Sequence, residues 1–496
     1  MLVLSPSSKI FQDREELYCF LLDFKQGLKS YEPEKILSIT QEIQPLDLLE
    51  MMAVFAPLSQ LHFYCEKSNT GEAIIAFDAV ADFCVNGRSR FSQALEFIKA
   101  CRQRITRFGC FQASSSPHFC CSFTFFDQGH RQTSTLFLPV IQVLKREDHY
   151  FLTLNLELSP TFEVGKTAAQ AWEIIQKVQS LSQSARPHLN TCSARLTLHR
   201  PSINPLDRTH LNIQQIDCLD THPVPFKIQS SDEQQFQQSV SSSLDLIQSK
   251  TLDKIVLARA IDVQADQAFD LIRSLKNLRS LYPNCCIFST RNAQNQTFIG
   301  ASPERLVGVY DGQLITDSLA GSAPRGRSEQ EDLQFANHLL SSRKDRWEHQ
   351  VVVNFIRESL RQLGLQPCHE TQPYLMKLSN IQHLWTPITA PLTQGIHVLE
   401  ILAQLHPTPA AAGNPRDLAQ EKIQYYEPFD RLLYAAPIGW IDADDNGEFI
   451  VGIRSALVQG NQARLFAGAG IVAGSEPEKE AAEIQLKFQA LLRALV

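Results

Sequence analysis

The chain has 496 residues, 44% hydrophobic and 20% charged, enough for a large core and for two or three domains. A net charge of −7 without a dense Lys/Arg block argues against a nucleic-acid partner. Residues Met1 to Ile10 lack a basic stretch followed by an apolar one, and no apolar run reaches the roughly 18 residues of a membrane helix. The expectation is a globular, cytoplasmic protein without a membrane association.

In chain order, the first portion predicts helices over 13–28 and 167–184 and strands over 72–85, 119–126 and 151–158, with little recognisable chemistry. The turn-rich passages 200–205 and 221–225 read as the connection into a second portion, which sets the division at 1–225 and 226–496. Beyond it the pattern predicts a helix over 233–249, a strand over 254–263, a helix over 269–281 and strands over 284–290, 297–300 and around 306–316. A long amphipathic helix follows over 329–363, split near Ser342. Extended segments then cover 383–392, 437–442, 448–457 and 462–468. The last helix starts near Glu476, with Ser475 as its N-cap and Glu478 completing a capping box. Strands come in groups rather than alternating with helices, which predicts α+β with large antiparallel sheets. The 12 cysteines include no C-x-x-C pair and read as buried, reduced thiols rather than zinc ligands.

Several side chains could carry chemistry, each with a plain structural alternative. Glu483 and Lys487 stack one turn apart beside the glycine-rich loop Gly468 to Gly474, where they could hold a metal ion and an anionic substrate together. They could equally be a solvated i,i+4 ion pair worth about 0.3–0.5 kcal/mol. Lys254 opens a strand, where lysine is usually solvated; in a desolvated cleft it gives up its proton more readily and can act as a base. Glu304, after the turn Ser302-Pro303, could be a general acid if an apolar wall raises its pKa, or could pair with Arg305. Glu348 lies in the long helix, far from Glu483 in the chain, so only the fold can unite them. Two carboxylates with water and a substrate carboxylate would suit Mg²⁺. Arg454, read within a strand over 450–455, has small and apolar neighbours that leave room for a bidentate carboxylate. His383 alone is more often a packed histidine. The spacing of Gly468, Gly470 and Gly474 does not fit a dinucleotide loop.

Taken jointly, the motifs Lys254-Ile-Val-Leu-Ala-Arg259, Ser302-Pro-Glu-Arg-Leu306, Leu319-Ala-Gly-Ser322, Glu348-His349, His406-Pro-Thr-Pro409, Glu427-Pro-Phe-Asp-Arg431, Tyr434 with Gly439, Ile453-Arg-Ser-Ala456, Gly468-Ala-Gly-Ile-Val472 and Glu483-x-x-x-Lys487 resemble the chorismate-utilising enzymes. That family contains isochorismate synthase, salicylate synthase and the first components of anthranilate and aminodeoxychorismate synthases. The resemblance covers about residues 230 to 496; residues 1–225 show no motif that aligns. It implies two large, mainly antiparallel sheets packed together with helices outside, and makes 1–225 a divergent α+β portion of the same fold. It further implies that Lys254 activates water for attack at C2 of chorismate and Glu304 protonates the departing C4 hydroxyl. Glu348 and Glu483 would bind Mg²⁺. His383, Tyr434, Arg454, Lys487 and the backbone of Gly468 would hold the substrate.

Within the family, lysine at 254 suits water activation, and His406-Pro-Thr-Pro-Ala-Ala-Ala-Gly413 resembles the isochorismate synthase form rather than that of ammonia-using members. The expected activity is therefore isomerisation of chorismate to isochorismate, without a glutamine amidotransferase partner. The long first portion resembles the menaquinone or phylloquinone type. A salicylate synthase, which adds pyruvate elimination, and a non-catalytic chorismate-binding protein are the competing readings.

Overall fold

The computed structural model describes residues 11–28, 34–109, 116–127, 133–184, 226–230, 233–393 and 395–495. The turn-rich passages 200–205 and 221–225 lie outside the described residues. Helices and strands mix as expected for α+β, and among the described residues every strand pairing is antiparallel except that of Lys35–Ile43 with Ile105–Gly109.

Strand Ser134–Arg146 is where the sheet forks. One edge pairs with Glu72–Val85; along the other, residues 135–137 pair with His118–Ser122 and residues 141–146 with His149–Leu158. From Glu72–Val85 a first arm runs through His62–Lys67, Cys286–Arg291, Thr297–Ser302, Ser455–Gln459 and Gln462–Ile471 to Lys254–Ala265. From His118–Ser122 a second arm runs through Pro437–Asp442, Gly447–Val451, Arg305–Tyr310 and Gln313–Pro324 to Ile381–Pro391. Strands from before residue 185 and after residue 225 thus share ladders.

The chain crosses between arms at two short connections that matter below. Pro303-Glu304 leads from Thr297–Ser302 to Arg305–Tyr310, and Gly452 to Arg454 leads from Gly447–Val451 back to Ser455–Gln459. The connections are laced together: the Ala301 amide donates to the Arg454 carbonyl and the Val451 amide to the Glu304 carbonyl, both at 3.1 Å. Gly300 permits this approach, since a Cβ there would sit 2.7 Å from the Arg454 carbonyl oxygen and 2.6 Å from the Phe288 ring.

Helices form where the sequence supplies caps and an apolar stripe. Ser342 divides Glu329–Ser341 from Arg343–Gln362, and its side chain accepts from the Asp345 amide. The last helix, Pro477–Leu495, buries Ile484, Phe488, Leu491 and Leu492 against the sheet and neighbouring helices. Its start departs from the expected capping box: the helix begins at Pro477, and Ser475 Oγ accepts from the Val472 amide at 3.2 Å, closing the preceding turn instead. The cysteine expectation also needs correction. Cys19, Cys84 and Cys368 are exposed, and Cys65 and Cys286 face each other across neighbouring strands. Among the described residues no helix is long and apolar enough to cross a membrane.

Candidate active site

A cavity of about 170 Å³ opens between the two arms and the helices Arg343–Gln362 and Pro477–Leu495. Lys254, Glu304, Glu348, His383, Tyr434, Arg454, Gly468, Glu483 and Lys487, the residues singled out in the sequence, all line it. Apart from Glu483 and Lys487, which share the helix Pro477–Leu495, each arrives on a different segment, so the topology brings them together.

Lys254 is 1% exposed, and both faces of its strand are buried, so it is no solvated strand end. Its ammonium lies 2.9 Å from Glu348 Oε1. Gly470 makes room for the pair: a Cβ there would meet Glu348 Oε1 at 2.5 Å and Lys254 Cε at 3.1 Å. Next to Glu348 in sequence, His349 is buried with Nε2 2.8 Å from Thr386 Oγ1, and burial pushes its pKa down to about 4.

Glu304 does not pair with Arg305, whose guanidinium turns to Glu448 at 3.2 Å and Asp317 at 3.8 Å. The Glu304 carboxyl is instead buried; burial pushes its pKa up to about 8, the Lys254 charge opposing and the Asp317 charge adding. A group in this state is protonated near neutral pH and can donate.

Other parts of the cavity wall carry groups that can donate to anions. Arg454 is not within a strand: it occupies the break between Val451 and Ser455 with φ +49°, outside the regular strand geometry read from the sequence. Its Nη2 lies 2.9 Å from His383 Nε2, and His383 Nδ1 lies 2.9 Å from Ser322 Oγ. A guanidinium can only donate, so Nε2 accepts and Nδ1 carries the proton. Burial, followed by the charges of Arg454 and Lys487, keeps the imidazole neutral by moving its pKa well below 6.5. Tyr434 stacks on Phe466 at 5.3 Å, and burial raises its phenol pKa, leaving a hydroxyl able to donate to an anion. Lys487 bridges Glu483 Oε1 and the Gly468 carbonyl, both at 2.7 Å. With side chains 30% and 21% exposed, Glu483 and Lys487 are a half-buried cavity wall, not a solvated pair.

The site rests on a buried scaffold. Arg431 and Glu427 pair with side chains 0% and 3% exposed; Arg431 also donates to the carbonyls of Ala411 and Val256, while Glu427 accepts from the Ala258 amide. This ties the segments 406–413 and 427–431 to the strand that carries Lys254.

Lys344, Asp345 and Glu480 also line the cavity and were not singled out from the sequence. A local signal existed: Lys344 precedes Glu348 by four residues and Glu480 precedes Glu483 by three, the spacings that share a helical face. Among the described residues no group of three or more His, Cys, Asp or Glu stands ready to hold a metal. Asp345, Glu348, Glu480 and Glu483 nevertheless line one cavity, and the Glu483 charge adds to burial in raising the Glu480 pKa, a repulsion that a hard cation would relieve.

A family model described as chorismate binding enzyme matches residues 23–203 and 200–496, including the first portion, where no motif was legible. Isochorismate synthase MenF of Bacillus subtilis is 38% identical over 268 residues, 53% of this chain and 56% of that protein, so the match spans about half of that relative. The salicylate biosynthesis isochorismate synthase of Pseudomonas aeruginosa is 31% identical over 463 residues, 92% of this chain and 89% of that protein. The solved structure of MenF, the menaquinone-specific isochorismate synthase from Escherichia coli, matches with TM-score 0.72 and 26% identity, covering 97% of this chain and 99% of that one. Anthranilate synthase component I from Streptococcus pneumoniae, at 17% identity and TM-score 0.63 over 85% of this chain and 92% of that one, shares the fold. The chain belongs to the chorismate-binding enzyme family.

Proposed function

We propose that this protein is an isochorismate synthase that isomerises chorismate with Mg²⁺ as cofactor, without a glutamine amidotransferase partner. The observation that carries this reading is the polarity of one cavity: Lys254 and a proton-bearing Glu304 share its interior, while Arg454, Tyr434 and Lys487 offer donors to carboxylates. In that arrangement Lys254, as the neutral amine once its ammonium has released a proton, takes a proton from a water molecule, whose oxygen forms a bond to C2. Glu304 gives its proton to the C4 hydroxyl, the ring double bonds shift, and the C4–O bond breaks. One water enters and one leaves, so the net change is an isomerisation.

Arg454 and Tyr434 hold one carboxylate of the substrate and Lys487 the other, which fixes the ring relative to Lys254 and Glu304 and converts an encounter in solution into a positioned reaction. His383, neutral and fixed by Ser322, keeps the Arg454 guanidinium aimed at the cavity. Glu348 and Glu483 would hold Mg²⁺, which would neutralise and orient the ring carboxylate when bound. Residues 226–496 form the catalytic portion on this reading, and residues 1–225 complete the same fold; the pairings of His62–Lys67 with Cys286–Arg291 and of His118–Ser122 with Pro437–Asp442 support it.

Turnover in ¹⁸O-labelled water tests the chemistry. Isochorismate carrying one labelled oxygen supports addition of solvent at C2, whereas unlabelled product requires migration of the original hydroxyl and removes the role given to Lys254.

A further inference from the structure

The wall around the two assigned metal ligands carries three lysine–carboxylate pairs. Lys254 meets Glu348 at 2.9 Å, Lys487 meets Glu483 at 2.7 Å, and Lys344 meets Glu480 at 3.2 Å. The third pair has no part in binding or proton transfer as derived above.

Its partners are unequally placed. The Glu480 side chain is only 6% exposed, so its charge is costly to leave unmatched, whereas Lys344 is 39% exposed. Of the three lysines it is also the easiest to release: Lys254 is 1% exposed, and Lys487, at 21%, is further tied to the Gly468 carbonyl. Burial and the neighbouring Glu483 charge raise the Glu480 pKa, and the Lys344 charge opposes them.

We infer that Lys344 is a displaceable counter-ion: it neutralises Glu480 while no metal is bound and swings toward solvent when a divalent cation enters between the carboxylates. This rests on the Mg²⁺ reading above. It predicts a sign opposite to that of a ligand. Removing the Lys344 charge should strengthen metal binding, because the entering cation no longer has to displace an ammonium from the carboxylate cluster.

The test is Mn²⁺ binding to the full-length protein without chorismate, followed by electron paramagnetic resonance at low ionic strength. Lys344→Met is expected to bind Mn²⁺ about tenfold more tightly than wild type, with a weaker dependence on added salt, as loss of one nearby positive charge requires. Lys344→Arg should stay near wild type. Without metal, Lys344→Met should melt at lower temperature, and Mn²⁺ should raise its melting temperature more than it raises that of wild type. Lys344→Gln serves as a second charge-removing variant should the first fail to fold. Unchanged or weaker Mn²⁺ binding in a folded charge-removing variant overturns the counter-ion role while leaving the Mg²⁺ reading in place. If wild type binds no Mn²⁺, both fall.

Discussion

Lys254 Nζ lies 2.9 Å from Glu348 Oε1, so the group assigned to proton transfer and a group assigned to the metal touch each other before substrate arrives. The two roles can be separated by mutation. Lys254→Ala should lower turnover by about 10²–10⁴-fold, the usual worth of a positioned base, without weakening Mn²⁺ binding. Normal turnover in that variant would remove Lys254 from the chemistry. Glu348→Ala should in addition destabilise the fold by up to about 3–5 kcal/mol in denaturant titration, because it strands a buried ammonium.

Gly470 sets the distance within that pair. In Gly470→Ala the new methyl group would lie 2.5 Å from Glu348 Oε1, so the carboxylate must move. A displacement near 1 Å is expected to cost about 10²-fold in kcat/KM. The steady-state assay should show this loss with little change in the circular dichroism spectrum.

Glu304 gives the pH dependence its sign. Its pKa, pushed up to about 8 by burial, keeps the acid protonated below that pH, so kcat/KM should hold at neutral pH and fall as pH rises through about 8. Glu304→Gln should lower activity and abolish this alkaline limb. Stability follows the same proton: between about 4.5 and 8 the folded chain keeps a proton that the unfolded chain releases. The unfolding free energy therefore loses a contribution as pH rises across that window, and denaturant titrations of Glu304→Gln should lack this slope.

Glu483→Gln should weaken Mg²⁺ activation, shifting the half-saturating concentration upward by about tenfold or more. A chelator should silence wild type, with activity returning on addition of Mg²⁺. Turnover unaffected by chelation would take Glu348 and Glu483 out of their metal role.

Much of the site was legible because its residues sit in motifs whose spacing survives in the chain, as with Lys254 opening its strand and Glu304 following Ser302-Pro303. What escaped depends on relations that no local window contains. Arg454 reads as strand because small and apolar residues flank it from Ile450 to Ser455, yet the crossing between sheet arms places a positive φ there. Ser475 has the composition of an N-cap, but the Val472 amide reaches its hydroxyl and the helix starts one residue later than expected. Lys344 and Glu480 lie on separate helices and acquire meaning only once those helices face one cavity. In the first portion, strands such as Glu72–Val85 follow the apolar pattern, but the fork at Ser134–Arg146 has no sequence signature.

The most direct test is to identify the product that the purified protein makes from chorismate and Mg²⁺, with ammonium present in a parallel reaction. Isochorismate as the sole product in both reactions, without pyruvate release, is the predicted result. Salicylate with stoichiometric pyruvate, an aminated product, or binding of chorismate without turnover would contradict it.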